Sequence, residues 1–467
     1  MRFHFENIGP IKKAELELGD LTIIAGRNNT GKTYLVYTLY GFLERWRDEV
    51  AEYLMECRRE RKAPFQSVDI RQAVRELVNE RQYERQVTPE ELNKERNAVI
   101  SMLARQFSEE GIANVFSSWP DKFQGSSIEV SCDVGSAGDS LNSPIDEGDI
   151  SISYDRDRKN LVFSAKPFGK RPSFPSRIER LVSFGYMRFL FMQFPTPFIL
   201  SAERFGISLF YKELDFAKNR VVEFLQKMDT DKRKGRDRIS PFLGRHTSRY
   251  ALPIRDNIDY TRSISDLVKG RGPMQDAKLY DDVKNIMDGY YQSDENEIRF
   301  RSRSRKNRRF DIPLHLASSS ARSLSDLYFY LRHKAEKNQL LIIDEPESHL
   351  DTRNQIMLAR MLAHIVHAGI KVLVTTHSDY LLKEINNLAM LSSEFEGKEK
   401  FITEHGYDKR EFFRRESLRG YVAEDGQLTR CRVDKFGFDM PVFDKTINDI
   451  NAVSSELDSR LDDTEEE

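Results

Sequence analysis

The eight residues Gly26–Thr33 constrain the fold of this chain more than any other feature. They read Gly-Arg-Asn-Asn-Thr-Gly-Lys-Thr and follow the apolar run Leu21–Ala25, which is typical of a buried strand. Two glycines separated by four residues and followed by Lys and Thr form the phosphate-binding loop pattern. The backbone N–H groups of such a loop, and the positive end of the helix after it, bind a triphosphate. The segment therefore predicts a nucleotide site between a strand and a helix.

Individual residues of this loop have predicted roles. We expect Lys32 to lie against the β- and γ-phosphates and the Thr33 hydroxyl to hold Mg²⁺. ATP and Mg²⁺ are therefore the expected cofactors. The other predicted nucleotide contacts are Gly26, Asn28, Asn29, Thr30 and Gly31.

Composition and charge limit the classes of protein to which the chain can belong. The 467 residues carry a formal net charge of −2, so no overall basic field attracts nucleic acid. The three cysteines lack metal-ligand spacing and suit a reducing compartment. The N-terminus lacks the layout of a signal peptide, and charged residues and prolines interrupt the most apolar stretch, residues 184–210. We expect a soluble, cytoplasmic protein without a membrane partner.

The pattern of strands and helices predicts four segments. Residues 1–44 begin a nucleotide-binding head and residues 296–390 complete it, because strands there alternate with helices as in a parallel sheet covered on both faces. Residues 45–295 form a densely charged, largely helical insertion with short strands within 128–165. Residues 391–467 add a hairpin turning at Asp425-Gly426, a helix from Phe443 and an acidic tail. The predicted fold class is α/β, a mixed or parallel sheet with flanking helices, interrupted by this insertion.

A second apolar strand leads into carboxylates that suit nucleotide hydrolysis. The run Leu340–Ile343 is followed by Asp-Glu-Pro-Glu. We expect Asp344 to hold the Mg²⁺ shell and Glu345 to act as general base toward the attacking water. The alternative is that these adjacent carboxylates cap the next helix. Asp351 lies where a loop can cross to a neighbouring subunit.

Two further polar clusters are candidates for phosphate contacts. His377 follows an apolar strand, at the ligand-binding edge of an open α/β sheet, and can bind the γ-phosphate or the attacking water, although a lone His is more often structural. The serines at 318–320 precede a helix expected to begin at Ser323. Small hydroxyl side chains there make either an anion site or only a helix cap.

Taken in order, these motifs resemble the ABC-type ATPase heads of structural-maintenance-of-chromosomes (SMC), RecF and OLD proteins. The order is phosphate loop, helical insertion, serine-rich signature, Asp-Glu-Pro strand, Asp351 loop and switch His, and it covers residues 1–44 and 295–380. The usual signature Leu-Ser-Gly-Gly-Gln is absent. The sequence Ala-Ser-Ser-Ser-Ala-Arg-Ser at 317–323 is more similar to the degenerate version in OLD-like proteins.

This resemblance implies a nucleotide site shared between two copies of the chain. In the family, two heads meet face to face, and the signature serine of one completes the site of the other. Ser319 takes the signature role here, with its serine neighbours beside it. A Gln after the insertion senses Mg²⁺ in family heads, and Gln193 is the candidate. Arg204 lies in a segment that resembles a strand of OLD-like ATPases, where it either neutralises phosphate charge or pairs with Glu203.

The resemblance also implies partners. OLD nucleases continue after the switch His into a TOPRIM nuclease domain, whereas the residues after His377 contain no Asp-x-Asp and are too few for that domain. We therefore expect an ATPase without nuclease activity of its own. Stand-alone OLD-like ATPases resemble the ATPase subunits of anti-phage systems, namely PARIS and, less closely, Septu. That implies a homo-oligomeric scaffold that holds a separately encoded nuclease effector and activates or releases it on sensing a phage protein.

Two other classes of ATPase are alternatives. One is a DNA-repair or chromosome-associated ATPase of RecF or SMC type, acting directly on DNA. The other is the ATPase subunit of an ABC transporter, which the long charged insertion disfavours because transporter heads are compact.

A cluster of basic residues lies between positions 299 and 309, and three interpretations of it are open. In an extended strand, its arginines at positions 299, 301 and 303 would point to the same face. The cluster can contact nucleic-acid phosphates, bind an acidic protein such as a phage trigger or a partner subunit, or stay solvated and paired with the local acids Asp294, Glu295 and Glu297. Its members are Arg299, Arg301, Arg303, Arg305, Lys306, Arg308 and Arg309.

Overall fold

The computed structural model describes residues 1–60, 62–132, 145–155, 157–166, 175–192, 194–211, 250–294, 297–303, 310–439 and 451–457. The chain divides into two compact units. The first consists of Met1–Asn7 and Thr38–Pro197, and the second of Ile8–Tyr37 and Phe198–Glu467. The division into four segments stays a prediction.

Strands and helices are distributed over both units. The strands are, in chain order, β1 (Arg2–Ile8), β2 (Ile11–Glu17), β3 (Leu21–Ala25), β4 (Gln82–Gln86), β5 (Ser127–Ser131), β6 (Ile145–Glu147), β7 (Ile150–Asp155), β8 (Asn160–Ala165), β9 (Pro197–Leu200), β10 (Gly289–Ser293), β11 (Ile298–Ser302), β12 (Asp311–Pro313), β13 (Leu340–Asp344), β14 (Lys371–Thr376), β15 (Leu418–Glu424), β16 (Gln427–Arg430), β17 (Val433–Asp434) and β18 (Gly437–Phe438). The α-helices are α1 (Lys32–Glu60), α2 (Ile70–Asn79), α3 (Pro89–Gln106), α4 (Ile112–Val115), α5 (Pro175–Leu190), α6 (Leu252–Leu267), α7 (Tyr280–Met287), α8 (Ser319–His333), α9 (Thr352–His367), α10 (Asp379–Met390) and α11 (Lys398–His405). Within the described ranges, no helix is long and apolar enough to cross a membrane.

The first unit combines helices with a small antiparallel sheet. Its strand order is β4-β8-β7-β6, and each neighbouring pair is antiparallel. Helix α3 begins with a capping box in which Thr88 and Glu91 satisfy each other's backbone N–H groups. Strand β4 lies in a stretch that the sequence suggested to be helical. It is extended because it pairs along its whole length with β8, a contact that charge spacing does not reveal.

The second unit is built on a mixed sheet with the strand order β2-β16-β15-β3-β14-β13-β9. Strands β15, β3, β14 and β13 are parallel neighbours, whereas β16 runs antiparallel to β15 after the turn at Asp425-Gly426. Every residue of β3 and β13 is buried, the pattern of strands covered on both faces. Buried side chains of α8, α9 and α10 share one core with these strands. The predicted α/β class is confirmed.

Helix α8 begins earlier than the sequence suggested. Its first residue is Ser319, not Ser323, so that prediction was wrong. Ser318 is the N-cap, because its Oγ accepts a hydrogen bond from the Ala321 N–H at 3.2 Å. A serine at this position typically contributes about 1 kcal/mol to helix stability. Once Ser318 caps the helix, the serines after it continue the first turn, and the Ser323 hydroxyl donates back to the Ser320 carbonyl at 3.0 Å.

A buried carboxylate joins α8 to α6. Asp326 Oδ2 lies 3.2 Å from the Thr261 hydroxyl, which also donates to the Asn257 carbonyl at 2.9 Å. The single hydroxyl hydrogen of Thr261 cannot donate to the Asn257 carbonyl and to Asp326 at once. If Asp326 is protonated, its own hydrogen can be donated to the Thr261 oxygen, and both contacts are then hydrogen bonds. Burial raises the pKa of Asp326 to about 6, against the opposing effect of hydrogen bonds from Thr261 and Ser325.

Replacing Asp326 with Asn should stabilise the protein near neutral pH. The pKa rises from 3.8 to about 6 on folding, so the ionised form is disfavoured in the folded state and stability is lost as the pH rises through that interval. The loss amounts to about 3 kcal/mol once both states are ionised. Urea denaturation should show the advantage of Asp326→Asn over wild type growing between about pH 4 and pH 7.

The control variant is Asp266→Asn, which neutralises an exposed aspartate of α6 that pairs with Lys269. It should change the free energy of unfolding by less than ~1 kcal/mol. A difference between Asp326→Asn and wild type that stays constant with pH would contradict the assignment.

Candidate nucleotide site

The register of three neighbouring strands brings the predicted motifs to one edge of the sheet. Asp344 of β13 pairs with Thr375 of β14, and Thr376 pairs with Ala25, the last residue of β3. The phosphate loop follows β3 directly, the acidic motif ends β13, and the switch histidine follows β14. Because carboxyl ends of parallel strands form the ligand edge of an open α/β sheet, the three motifs meet where a ligand is expected.

The conformation of the phosphate loop requires glycine at both predicted positions. Gly26 has φ 152° and Gly31 has φ 92°, values that residues with a Cβ rarely adopt. A Cβ on Gly26 would lie 2.6 Å from the carbonyl oxygen of Ala423, and one on Gly31 would lie 2.7 Å from Cγ1 of Ile11. The two glycines therefore allow the backbone to pass closely between its neighbours.

The other predicted loop contacts lie at its tip. Asn28 and Asn29 are exposed, and Asn29 has φ 65°, which Asn tolerates better than most residues. The Thr30 hydroxyl donates to the Arg27 carbonyl at 2.9 Å and so closes the turn. The tip is thus a fixed turn whose amide side chains face solvent.

Lys32 folds back onto the loop that carries it. Its Nζ donates to the carbonyls of Gly26 and Arg27, both at 2.8 Å, and the side chain is buried. Burial lowers the pKa of Lys32, while the nearby carboxylates of Glu345 and Asp344 act in the opposite direction. Two neutral acceptors therefore hold an ammonium group that phosphate oxygens can bind more strongly.

A small cluster of oxygen atoms links the loop to the acidic motif. The Thr33 hydroxyl donates to Asp344 Oδ2 at 3.0 Å, and the Thr375 hydroxyl donates to Oδ1 of the same carboxylate. Asp344 is fully buried, and this desolvation raises its pKa to about 6. Hydroxyl and carboxylate oxygens are hard ligands of the kind Mg²⁺ prefers, so Thr33 and Asp344 fit the predicted metal.

Glu345 stands at the solvent side of this cluster. Its φ is 49°, an uncommon value for a residue with a side chain, and its N–H donates to the Thr375 hydroxyl at 3.0 Å. The Ser348 hydroxyl donates to its Oε2 at 3.2 Å. Neither Asp344 nor Glu345 caps the next helix, since the N-cap of α9 is Asp351, whose Oδ1 accepts from Asn354 N at 3.0 Å. A crossing to a neighbouring subunit at Asp351 stays a prediction.

His377 lies between two carboxylates, one of which the sequence did not single out. Its Nδ1 is 3.7 Å from Glu345 Oε1 and 3.4 Å from Glu347 Oε1. Glu347 is buried, and its Oε1 accepts from the Thr376 hydroxyl at 2.7 Å and from the His377 N–H at 2.9 Å. Glu347 therefore fixes the backbone that carries the switch histidine. The only signal for it was the second Glu of Asp-Glu-Pro-Glu.

Arg204 does not pair with Glu203. It is buried, and its guanidinium donates to the carbonyls of Asp344 and Glu345, both at 2.7 Å, and to that of Ser323 at 3.2 Å. Glu203 instead accepts from the Tyr37 hydroxyl at 2.9 Å. Arg204 therefore connects the end of β13 to the first turns of α8.

The serine segment is anchored to the loop after the acidic motif. The Ser320 hydroxyl donates to the His349 carbonyl at 2.6 Å, so its hydrogen is used within the protomer. Ser318 is exposed and Ser319 is half-buried at the start of a helix of 15 residues. Among the three serines, Ser319 keeps the signature role as a prediction.

Two predictions concern residues that the structure describes only in part. Gln193 lies outside the described residues. In the basic cluster, Arg299 and Arg301 both pair with Asp311 at 2.7 Å, and Arg299 also contacts Glu297. Local pairing is therefore observed for these two cations, and Asp311, an acid outside the predicted set, is their shared partner. The cations at 305, 306, 308 and 309 lie outside the described residues.

Part of the chain matches a known family. A family model described as "AAA domain, putative AbiEii toxin, Type IV TA system" matches residues 193–383. The matched stretch contains the serine segment, the acidic motif and the switch histidine, and begins after the phosphate loop. Residues 193–383 are thus similar to ATPase domains of the AAA type. No curated protein matches the chain.

Solved SMC head domains align with most of the chain at low similarity. One, the SMC head bound to the C-winged helix domain of ScpA, is 12% identical, with 92% of this chain and 95% of that chain covered and a TM-score of 0.32. An SMC head with an extended coiled coil, bound to the C-terminal domain of ScpA and from Pyrococcus furiosus, is 12% identical. The alignment covers 97% of this chain and 98% of that chain, with a TM-score of 0.32. The SMC head from Thermotoga maritima is 12% identical, with 93% of this chain and 98% of that chain covered and a TM-score of 0.28. The strand order and register described above, not these superpositions, define the site.

Substituting Arg204 with Lys should destabilise the protein although the charge is kept. A single ammonium group cannot reach the carbonyls of Asp344, Glu345 and Ser323 together, so at least one buried carbonyl loses its donor. We expect a loss of about 2–4 kcal/mol in the free energy of unfolding, measured by chemical denaturation. Arg353→Lys, at an exposed position of α9, is the matched control. Equal stability of Arg204→Lys and wild type would show that the carbonyl contacts are dispensable.

Proposed function

We propose that the second unit binds ATP with Mg²⁺ at the edge formed by β3, β13 and β14 and hydrolyses it. The observation that carries the proposal is the hydrogen bond between Thr33 and Asp344, two predicted Mg²⁺ ligands separated by 311 positions in sequence. The phosphate loop, the acidic motif and His377 all lie at the same edge of the sheet, which is unexpected for unrelated polar residues. The similarity of residues 193–383 to AAA-type ATPase domains supports the same activity.

The phosphates are bound by groups that already lie together. Lys32 exchanges the carbonyls of Gly26 and Arg27 for β- and γ-phosphate oxygens, a stronger charge-assisted interaction. Thr33 and ionised Asp344 would hold Mg²⁺, which would supply positive charge against the negative charge that develops on the phosphates. The N-terminus of α1 adds its positive dipole to the same site.

The attacking water is activated by Glu345. Its carboxylate is oriented by Ser348 and stands 3.7 Å from the His377 ring, so both side chains can contact one water beside the γ-phosphate. As the water attacks the γ-phosphorus, Glu345 accepts its proton, and the bond from that phosphorus to the β–γ bridging oxygen breaks, so that ADP leaves. Glu347 acts as a positioning residue, because it holds the His377 backbone in place.

The site is completed by a second copy of the chain. The N-terminus of α8, with exposed Ser318 and half-buried Ser319, presents unpaired N–H groups and a positive dipole suited to a phosphate. In the proposed head-to-head dimer, Ser319 of one protomer contacts the triphosphate bound by Lys32 of its partner. The nucleotide thereby bridges the two copies.

In the cell, we place this ATPase in anti-phage defence. It acts as a homo-oligomeric scaffold in the cytoplasm, of the PARIS or Septu kind, that holds a separately encoded nuclease and activates or releases it on sensing an acidic phage protein. The description of the matching family as a putative AbiEii toxin of a type IV system supports a defence role. The second candidate, an ATPase of RecF or SMC type, would act on DNA directly.

Two substitutions separate nucleotide binding from hydrolysis. Lys32→Ala should abolish ATP binding, because it removes the ammonium group expected to bind the β- and γ-phosphates. Glu345→Gln should keep ATP binding and lower turnover about 10²–10⁴-fold, since the amide cannot accept the proton. Phosphate release and fluorescent-nucleotide binding measure the two effects. Glu396→Gln, an exposed carboxylate of the same unit, is the matched control.

Native turnover by both variants would refute the site. The same assay repeated with duplex DNA distinguishes the two cellular roles. Stimulation of hydrolysis by DNA favours the RecF-like alternative, whereas unchanged turnover together with copurification of a nuclease favours the scaffold.

Mixing two inactive variants tests whether the site is shared. Lys32→Ala lacks a functional loop, and Ser319→Arg blocks the signature position, so each homodimer should be inactive. A mixed dimer contains one intact site, built from the loop of the Ser319→Arg chain and the serine of the Lys32→Ala chain. An equal mixture should recover about a quarter of wild-type turnover, because half of the dimers are mixed and each has one of two sites. No recovery at any mixing ratio, with both variants folded, would mean that one protomer forms the whole site.

A further inference from the structure

A cavity of about 470 Å³ opens in the first unit between α1, α2 and α5. Its volume lies within the range of about 300–1,000 Å³ usual for small-molecule sites. The walls combine apolar and polar side chains, and the apolar part includes Leu54 and Met55 of α1, Phe65 and Val68 of the following segment, and Phe184 of α5. Met55 is 66% exposed, although its side chain is large and apolar. The cavity therefore offers an apolar surface that the unit itself does not cover.

One wall of the cavity is held in place by a buried carboxylate. Glu95 is 6% exposed and accepts hydrogen bonds from the N–H groups of Gln66 and Ser67 and from the Tyr186 hydroxyl, the last at 2.6 Å. The Phe65 ring packs edge-on against Tyr186, with ring centroids 4.8 Å apart. A wall fixed in this way does not have to be ordered by a ligand, which favours binding.

The cavity lining also carries an excess of positive charge. Arg58, Arg71 and Arg180 are exposed and form no ion pair with any residue that the structure describes. Of the two acidic residues in the lining, Asp69 is engaged as the N-cap of α2, where it accepts from the N–H groups of Arg71 and Gln72. The other is Glu179. Cations beside a low-dielectric wall attract an anion more strongly than isolated surface cations do.

We propose that this cavity binds an amphipathic organic anion, with an acyl chain on the apolar walls and an acidic head group among Arg58, Arg71 and Arg180. The apolar walls disfavour a highly charged ligand such as a free nucleotide, and the arginines disfavour a neutral or cationic one. The volume of this open cavity suits a small molecule, since a stable protein interface would bury roughly 800 Å² on each partner. The site lies within the first unit and does not depend on ATP binding.

The proposal is tested with dodecanoate below its micelle concentration, using the full chain with ¹³C-methyl methionine. Calorimetry should show saturable binding, and the Met55 methyl resonance should shift in step with it. Dodecyl phosphate should bind as well, while dodecyltrimethylammonium should not, because only the head-group charge differs in sign. The ratio of the dodecanoate and dodecyl phosphate affinities shows whether a carboxylate or a phosphate head group is preferred.

Charge-reversing variants locate the head group. The double variant Arg58→Glu/Arg180→Glu should weaken dodecanoate binding at least tenfold, and Ala51→Phe, which fills the cavity from α1, should do the same without changing charge. The matched controls Arg75→Glu and Arg177→Glu reverse exposed charges on α2 and α5 outside the lining and should bind as wild type does. Absence of binding, equal binding of the cationic surfactant, or wild-type affinity of the double variant would overturn the proposal.

Discussion

The hydrogen bond from Thr33 to Asp344 is the contact on which the candidate nucleotide site depends. It joins the first residues of α1 to the last residue of β13, and it forms only because β14 lies between β3 and β13 and runs parallel to both. Parallel pairing places all three carboxyl ends at one edge. A slip of one residue in β13 would turn Asp344 to the opposite face of the sheet and separate it from the loop.

Buried charged groups hold this edge in shape. The Arg204 guanidinium donates hydrogen bonds to backbone carbonyls of the acidic motif and of α8 rather than to a carboxylate. Glu347 in turn uses one carboxylate oxygen to hold Thr376 and the backbone of His377. Removing any of these partners would leave a buried polar group unsatisfied, which costs about 1–3 kcal/mol for each. The candidate catalytic groups Glu345 and His377 are thus fixed by neighbouring buried side chains.

Buried carboxylates in the two units are satisfied to different extents, and their chemistry differs accordingly. Glu95 receives two backbone N–H groups and a tyrosine hydroxyl, and it shapes the wall of a cavity. Asp344 receives two threonine hydroxyls, yet desolvation still raises its pKa to about 6. A cation such as Mg²⁺ bound beside it would favour its ionised form. Asp326 receives the Ser325 hydroxyl and the Thr261 hydroxyl, the latter shared with the Asn257 carbonyl, and burial raises its pKa to about 6 as well. Backbone N–H groups hold Glu95, whereas only hydroxyl groups donate to the carboxylates of the two aspartates among the described residues.

The sequence by itself determined the phosphate loop, the acidic motif and the alternation of strands and helices. These depend on spacing and polarity over a few residues, which is why the α/β class could be predicted. Only the tertiary structure decided that α8 starts at Ser319, that Arg204 binds carbonyls and that Arg299 pairs with Asp311. A backbone carbonyl has no residue-specific signature, and the partner of a strand is set by distant segments of the chain. Local patterns therefore revealed which groups could do the chemistry, while long-range pairing decided which neighbours hold them.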